Sequence, residues 1–296
     1  MRYSEFHPQP PLSTFVECFW ALESDAHVSN QKTERILPDG CVEVILNFGA
    51  PFSQHVDHLV TVQPRNFIVG QMTSPIFISP TGPVQLIGIR FHPGGTTPFF
   101  RLPIHELTNQ VVELGSFART LEIKLVSEAA HLSNLNDKVT ALQSVLLRIL
   151  ENSKSDFGLL RVAAKVVNSS GMIPIDHLAA EAGLSSRQLE RRFLSEVGVG
   201  PKLLSRILRF QEVFRAVDAN KTAWPTIAID CGYYDQAHLI KDFRQFAHET
   251  PAVLFAEQNT FTESFTRKRR ICRVFPIQEE FRRVSSATSA SRRSLR

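Results

Sequence analysis

The sequence is poor in cysteine, and the few it has are not spaced as partners. Cys18, Cys41, Cys231 and Cys272 are scattered over 296 residues with no CxxC pair. That argues against a zinc ribbon or a disulfide framework. Long apolar runs are also missing: nothing approaches the roughly 18 consecutive apolar residues that a membrane span needs. The opening stretch Met1-Arg2-Tyr3-Ser4-Glu5 has neither an apolar run nor a small-residue cleavage site. A cytoplasmic protein without a secretory signal is the expectation. There is no Gly-rich phosphate loop, no nucleophile motif and no pair of catalytic carboxylates, so no enzyme and no cofactor are expected. His55 and His58 form an H-x-x-H pair, but nothing nearby completes a ligand set. A polar loop is therefore preferred to a metal site.

A strong charge excess is absent as well. The formal net charge is +4, and residues 158–258 carry 12 basic against 11 acidic side chains. Only residues 263–296 are strongly basic, with 10 against 3. Any nucleic-acid contact by the middle segment must rest on where its few cations stand, not on bulk charge.

What is present supports a core. The apolar share is 43%, typical of globular chains, and the length suits two domains. Residues 1–110 have short apolar runs between turn residues, the signature of strands. Pro38-Asp39-Gly40 marks a turn before the strand Cys41 to Phe48, and Val84 to Phe91 is apolar on both faces. Within this part Arg90 could meet an anionic effector or pair with Glu43. Cys41 suits a buried thiol, and Phe15, Phe19 and Trp20 suit core. Between 111 and 150 the period becomes helical, with Leu121, Leu125, Leu142, Val145, Leu146 and Ile149 in stripes. Residues 151–157 form a polar linker, 158–258 are helical, and the basic tail 259–296 has the composition of a disordered segment. The fold class expected is α+β multidomain: a β-rich, cupin-like N-terminal domain with following helices, then an all-α domain.

Comparing the chain with itself exposes a repeat. Leu178-Ala179-Ala180-Glu181-Ala182-Gly183 returns as Ile227-Ala228-Ile229-Asp230-Cys231-Gly232. Leu189, Phe193, Pro201 and Leu204 return as Leu239, Phe243, Pro251 and Leu254, one residue further on. Each copy has the parts of a helix-turn-helix. Ala179 and Ala228 let a second helix cross closely. Gly183 and Gly232 end the first helix. Ser185 or Ser186, and Asp235, can cap the second. The pairs Leu189/Phe193 and Leu239/Phe243 point inward. The opposite faces carry Arg187, Glu190 and Arg191 in one copy, and Gln236, Ala237, His238 and Lys241 in the other. Arg pairs with guanine, Gln with adenine, and a small apolar residue with a thymine methyl. Pro201 to Val217 reads as a single helix that spaces the two copies.

These residues resemble the AraC/XylS family of regulators. Gly232-Tyr233-Tyr234-Asp235-Gln236-Ala237-His238-Leu239 with Phe243 and Pro251 is similar to its second-unit signature. Leu178-Ala179, Gly183-Leu184-Ser185, Leu189, Arg191 and Phe193 are similar to its first unit. The resemblance implies a sequence-specific regulator that binds double-stranded promoter DNA, with RNA polymerase as a further partner. It leaves room for a small-molecule effector and a homodimer. It makes Arg187, Glu190, Arg191, Gln236, Ala237, His238 and Lys241 the base-facing set. Ile36-Leu37-Pro38-Asp39-Gly40-Cys41-Val42-Glu43 resembles the N-terminal domain of a subset of these regulators. The competing expectation is a cupin-type enzyme or effector-binding protein fused to a DNA-binding domain, which a metal triad would mark. One departure stands out: His248-Glu249-Thr250-Pro251 lacks the glycine usual before the last helix.

Overall fold

A computed structural model describes residues 1–24, 33–57, 59–153, 157–219 and 223–256. The basic tail and His58 lie outside the described residues, as do residues 154–156 of the polar linker. Among the described residues ten strands come first: β1 (Arg2–Phe6), β2 (Val16–Ser24), β3 (Glu34–Ile36), β4 (Val42–Asn47), β5 (Phe52–Val56), β6 (Leu59–Val62), β7 (Asn66–Val69), β8 (Ile76–Pro80), β9 (Val84–Phe91) and β10 (Val111–Glu113). They build two antiparallel sheets, one in the order β1-β2-β9-β4-β7-β10 and one in the order β3-β8-β5-β6.

The period of two in each strand decides what each face meets. Along β2, Cys18, Trp20 and Leu22 pack with Phe52 and Ile78 of the second sheet. The alternate residues Phe19 and Ala21 pack in another cluster with Leu121, Leu125, Leu142, Val145 and Leu146. Those five belong to the helices α1 (Gly115–Ala129) and α2 (Leu135–Glu151). The larger sheet is thus the middle of three layers, which is why β9 is apolar on both faces. One expectation is corrected here. Residues 111–113, assigned to the helical segment, form β10 and pair with β7 on the sheet edge. Three residues are too few to show a period, and pairing with Phe67–Val69 overrides the local pattern.

The rest of the described residues are helical: α3 (Gly158–Asn168), α4 (Ile175–Glu181), α5 (Ser186–Val197), α6 (Pro201–Ala219), α7 (Trp224–Asp230), α8 (Gln236–Phe246) and α9 (Pro251–Ala256). The long α6, roughly 28 Å at 1.5 Å per residue, sits in two cores at once. Leu204 and Leu208 join Leu178, Leu189 and Phe193. Ile207, Phe210 and Phe214 join Ile227, Leu239 and Phe243. Burying such a side chain contributes about 1.5–3 kcal/mol, so each helix pair is fixed to α6 by several of these.

The helical part is docked on the sheets. Gln211 Nε2 on α6 donates to Pro38 O at 2.5 Å, and Leu37 is buried among Ile207 and Phe210. Thr108 Oγ1 donates to Gly198 O at 2.7 Å, behind the 3-10 turn Ile104–Leu107.

Candidate nucleic-acid interface

The two repeats fold into matched helix pairs, α4–α5 and α7–α8. Each first helix ends in the same left-handed turn. Gly183 has φ +62° and Gly232 φ +76°. Leu184 N donates to Ala179 O, and Tyr233 N to Ala228 O. Gly183 N donates to Ala180 O, and Gly232 N to Ile229 O. This pattern satisfies the orphan carbonyls at a helix end. The second helix then starts at a cap. Ser185 accepts from Gln188 N, and the Gln188 side chain accepts from Ser185 N, a complete capping box. Asp235 accepts from His238 N at 2.7 Å. Pro201 and Pro251 stand at the first residue of the following helix, where their missing N–H costs nothing.

The inward stripes are where the period places them. Ala179, Leu189, Phe193, Ala228, Leu239 and Phe243 are all buried. The predicted outward set separates into groups. Arg187, Arg191, Ala237 and Lys241 are exposed, and Gln236 is half-exposed. His238 is half-exposed and sits edge-on to the buried Tyr233 ring, with centroids 5.2 Å apart. Glu190 is exposed, but its carboxylate turns back over Gly200 at the start of α6: a Cβ there would lie 2.1 Å from Oε1. Its charge therefore faces a helix N-terminus, a favourable place for an anion.

Two residues escaped the sequence pattern. Tyr234 is 86% exposed in the turn before α8. It is the visible form of the one-residue slip between the repeats, since Gly183 precedes its cap by two residues and Gly232 by three. Asp242, on α8, is fully buried and takes both Nε and Nη2 of Arg206 on Oδ1, at 3.1 and 2.6 Å. The guanidinium also lies over the Phe246 ring. Behind the turn, Cys231 is buried; desolvation, with Glu212 and Asp230 near, pushes its thiol up to about 12. It packs as a neutral thiol.

Residues 178–257 match the family model described as "Helix-turn-helix domain". This is an AraC-type helix-turn-helix domain. AraC-type domains belong to DNA-binding transcription regulators. Ahead of this one, residues 4–113 match a model described as "Domain of unknown function (DUF6597)". Among solved structures, the chain is similar to ToxT from Vibrio cholerae, with 10% identity and a TM-score of 0.43 over 81% of this chain and 99% of that one. It is also similar to the AraC-like transcriptional activator CuxR, with 14% identity and a TM-score of 0.32 over 74% and 80%. No curated protein sequence matches. Among the described residues, no group of three or more His, Cys, Asp or Glu side chains could hold a metal ion, and no helix is long and apolar enough to cross a membrane. His55 instead meets Ser79 Oγ at 2.8 Å through Nε2.

Proposed function

We propose that this protein regulates transcription by placing α5 and α8 in successive major-groove segments of promoter DNA. The observation that carries this is the pair of capped, outward-facing helices fixed to one spacer. Two recognition helices on one face of a duplex need centres about 34 Å apart, and the roughly 28 Å α6 sets a separation of that order. Arg187 and Arg191 are the guanine readers of α5. Gln236, Ala237 and Lys241 form the reading edge of α8, with His238 beside it. Glu190 holds the turn into α6. Tyr234 supplies a hydroxyl to a phosphate, a contact that positions without specifying.

The parts divide as 1–110 with the added strand Val111–Glu113, the helices up to 150, a linker at 151–157, and the DNA-binding domain at 158–258. The tail 259–296 adds sequence-independent phosphate affinity. RNA polymerase is the second macromolecular partner, and a homodimer would place two such domains on paired sites. The test is selection of bound sequences from random duplex DNA with the full chain. Two short elements about one helical turn apart are expected. Enrichment of one element would mean that one helix only positions the protein, and no enrichment by folded protein would overturn the proposal.

A further inference from the structure

A sheet that ends in the open leaves a row of unpaired N–H and C=O groups, which folds blunt with charge, bulges or brevity. The two sheets here end in four strands: β1, β10, β3 and β6. β1 carries Arg2 and Glu5, β10 carries Glu113, and β3 carries Glu34 and Arg35. β6 is Leu59-Val60-Thr61-Val62, with no charge at all. Leu59, Val60 and Val62 are 70%, 61% and 66% exposed. The apolar stripes of α1 and α2, by contrast, are covered by the large sheet. A bare apolar edge strand is a template for pairing with another chain.

The register of β5 and β6 fixes which backbone groups are open. Gln63 N donates to Phe52 O at 2.8 Å, so these two residues form a hydrogen-bonded pair. Bonded and non-bonded pairs alternate along an antiparallel ladder. Gln54–Thr61 and Val56–Leu59 are therefore bonded pairs, and Ser53–Val62 and His55–Val60 are not. Val60 and Val62 turn their N–H and C=O groups away from β5, toward the open edge.

A second β6 running antiparallel meets those groups best in one register. With Val60 opposite Val62 of the second copy, and Val62 opposite its Val60, each pair exchanges two hydrogen bonds. Thr61 then faces its own counterpart on a two-fold axis. Sliding two residues one way sets Pro64, which has no N–H, opposite Val60. Charge selects the same register. Asp57 precedes β6, Arg65 follows it, and both are exposed. The pairing sets Asp57 of each copy beside Arg65 of the other, whereas sliding the other way sets it beside Gln63. We propose that two copies of this chain join along β6 in this register, so that the two four-stranded sheets continue into one across the axis. The contact uses up the bare edge and closes at two copies. It stands on the β-domain alone and does not depend on the DNA-binding reading above. One strand pair is small beside the roughly 1,200 Å² of a stable interface, so a Kd of about 1–100 µM is expected.

Sedimentation velocity of the full chain, free of DNA, from about 1 to 200 µM reads the association. The expected result is a shift from monomer to dimer with rising concentration. Val60→Pro should stay monomeric throughout, because it removes an outward N–H, a change that an edge strand tolerates. Val62→Lys, which puts two like charges on the paired edge, gives the same reading should the proline variant fail to fold. Arg65→Glu should weaken association at least about fivefold at low salt, and high salt should erase the difference. Register is read by cross-linking in a Cys272→Ser background, the cysteines among the described residues being buried. Cα atoms of a non-bonded pair lie about 4.5 Å apart, within disulfide reach. Thr61→Cys should therefore form an interchain disulfide on mild oxidation. Leu59→Cys, whose counterpart lies about 13 Å along the strand, should do so at least about tenfold more slowly. A monomer at every concentration overturns the proposal, as does a dimer undiminished in both Val60→Pro and Val62→Lys. Equal cross-linking at 59 and 61 overturns the register, and unchanged association in Arg65→Glu overturns the part given to charge. Dimers of a protein that selects no DNA overturn the function proposed above while this contact stands.

Discussion

The two helix-turn-helix units share a plan and differ in what holds them. In α5 the position fifty residues before Asp242 is Arg192, which makes a part-exposed ion pair with Glu196 one turn on. In α8 Asp242 is buried under Arg206 from α6. At the end of α5, Gly198 has φ +101°, and a Cβ there would lie 3.0 Å from both Gln71 and Ile104 of the β-domain. At the matching place after α8, His248 takes φ +59° and lies beside Phe77, with ring centroids 6.5 Å apart. The glycine absent from the sequence is thus replaced by a residue that adopts the same left-handed region at some strain. The first unit is held by backbone docking on the sheets, the second by a buried charge pair on the spacer. Equivalent helices need not be secured by equivalent interactions.

The contrast can be broken most sharply at Asp242. Asp242→Ala takes the buried carboxylate away from Arg206, which keeps only Gln245 and the Phe246 ring, and should cost about 3–5 kcal/mol, whereas Arg192→Ala should cost no more than about 1 kcal/mol. Chemical denaturation of the two variants compares them directly; equal losses would show that the buried pair is not what anchors α8. Next comes Gly198→Ala, expected to destabilise by about 3 kcal/mol through backbone strain and crowding. His248→Gly should change stability by less than about 1 kcal/mol, since relieved strain is offset by unfolded-state entropy. Arg191→Ala should cost about 1–3 kcal/mol and relax preference at one base pair. Lys241→Ala on the other helix, measured on the same selected duplex, shows whether both units read bases; a uniform loss on all sequences from either variant makes that residue a phosphate contact. Cap removal by Ser185→Ala or Asp235→Ala should lower stability by about 1 kcal/mol each. Tyr234→Phe should have the smallest effect, weakening binding to every sequence alike with no change in thermal stability.

Much of this was legible because it is local. Gly183, Gly232, Ser185 and Asp235 act within a few residues of themselves, so their spacing announces the turns and caps. Leu189/Phe193 and Leu239/Phe243 follow from helical period alone. The Arg90–Glu43 pair was one of two options, and register settles it, because the two stand opposite on β9 and β4. What stayed hidden depends on distant partners. Asp242 lies beside the Leu239/Phe243 stripe and looks like a solvated edge until Arg206 covers it. Glu190 looks outward until the turn at Gly200 is built. Trp20 was expected as core and is 2% exposed, yet the room for its indole comes from Gly88 on the neighbouring strand, where a Cβ would lie 2.0 Å from Trp20 Cε2. The strand β10 was invisible because its pairing partner, not its own three residues, defines it.

The position of α6 in both helical cores has a consequence for how the protein comes apart. A helix shared by two units cannot fray for one of them alone. The units should open as one cooperative block rather than as two independent foldons. Amides near Leu204 and Leu208 should therefore exchange with solvent hydrogen as slowly as those near Ile207 and Phe210, and Asp242→Ala should speed exchange in α5 as well as in α8.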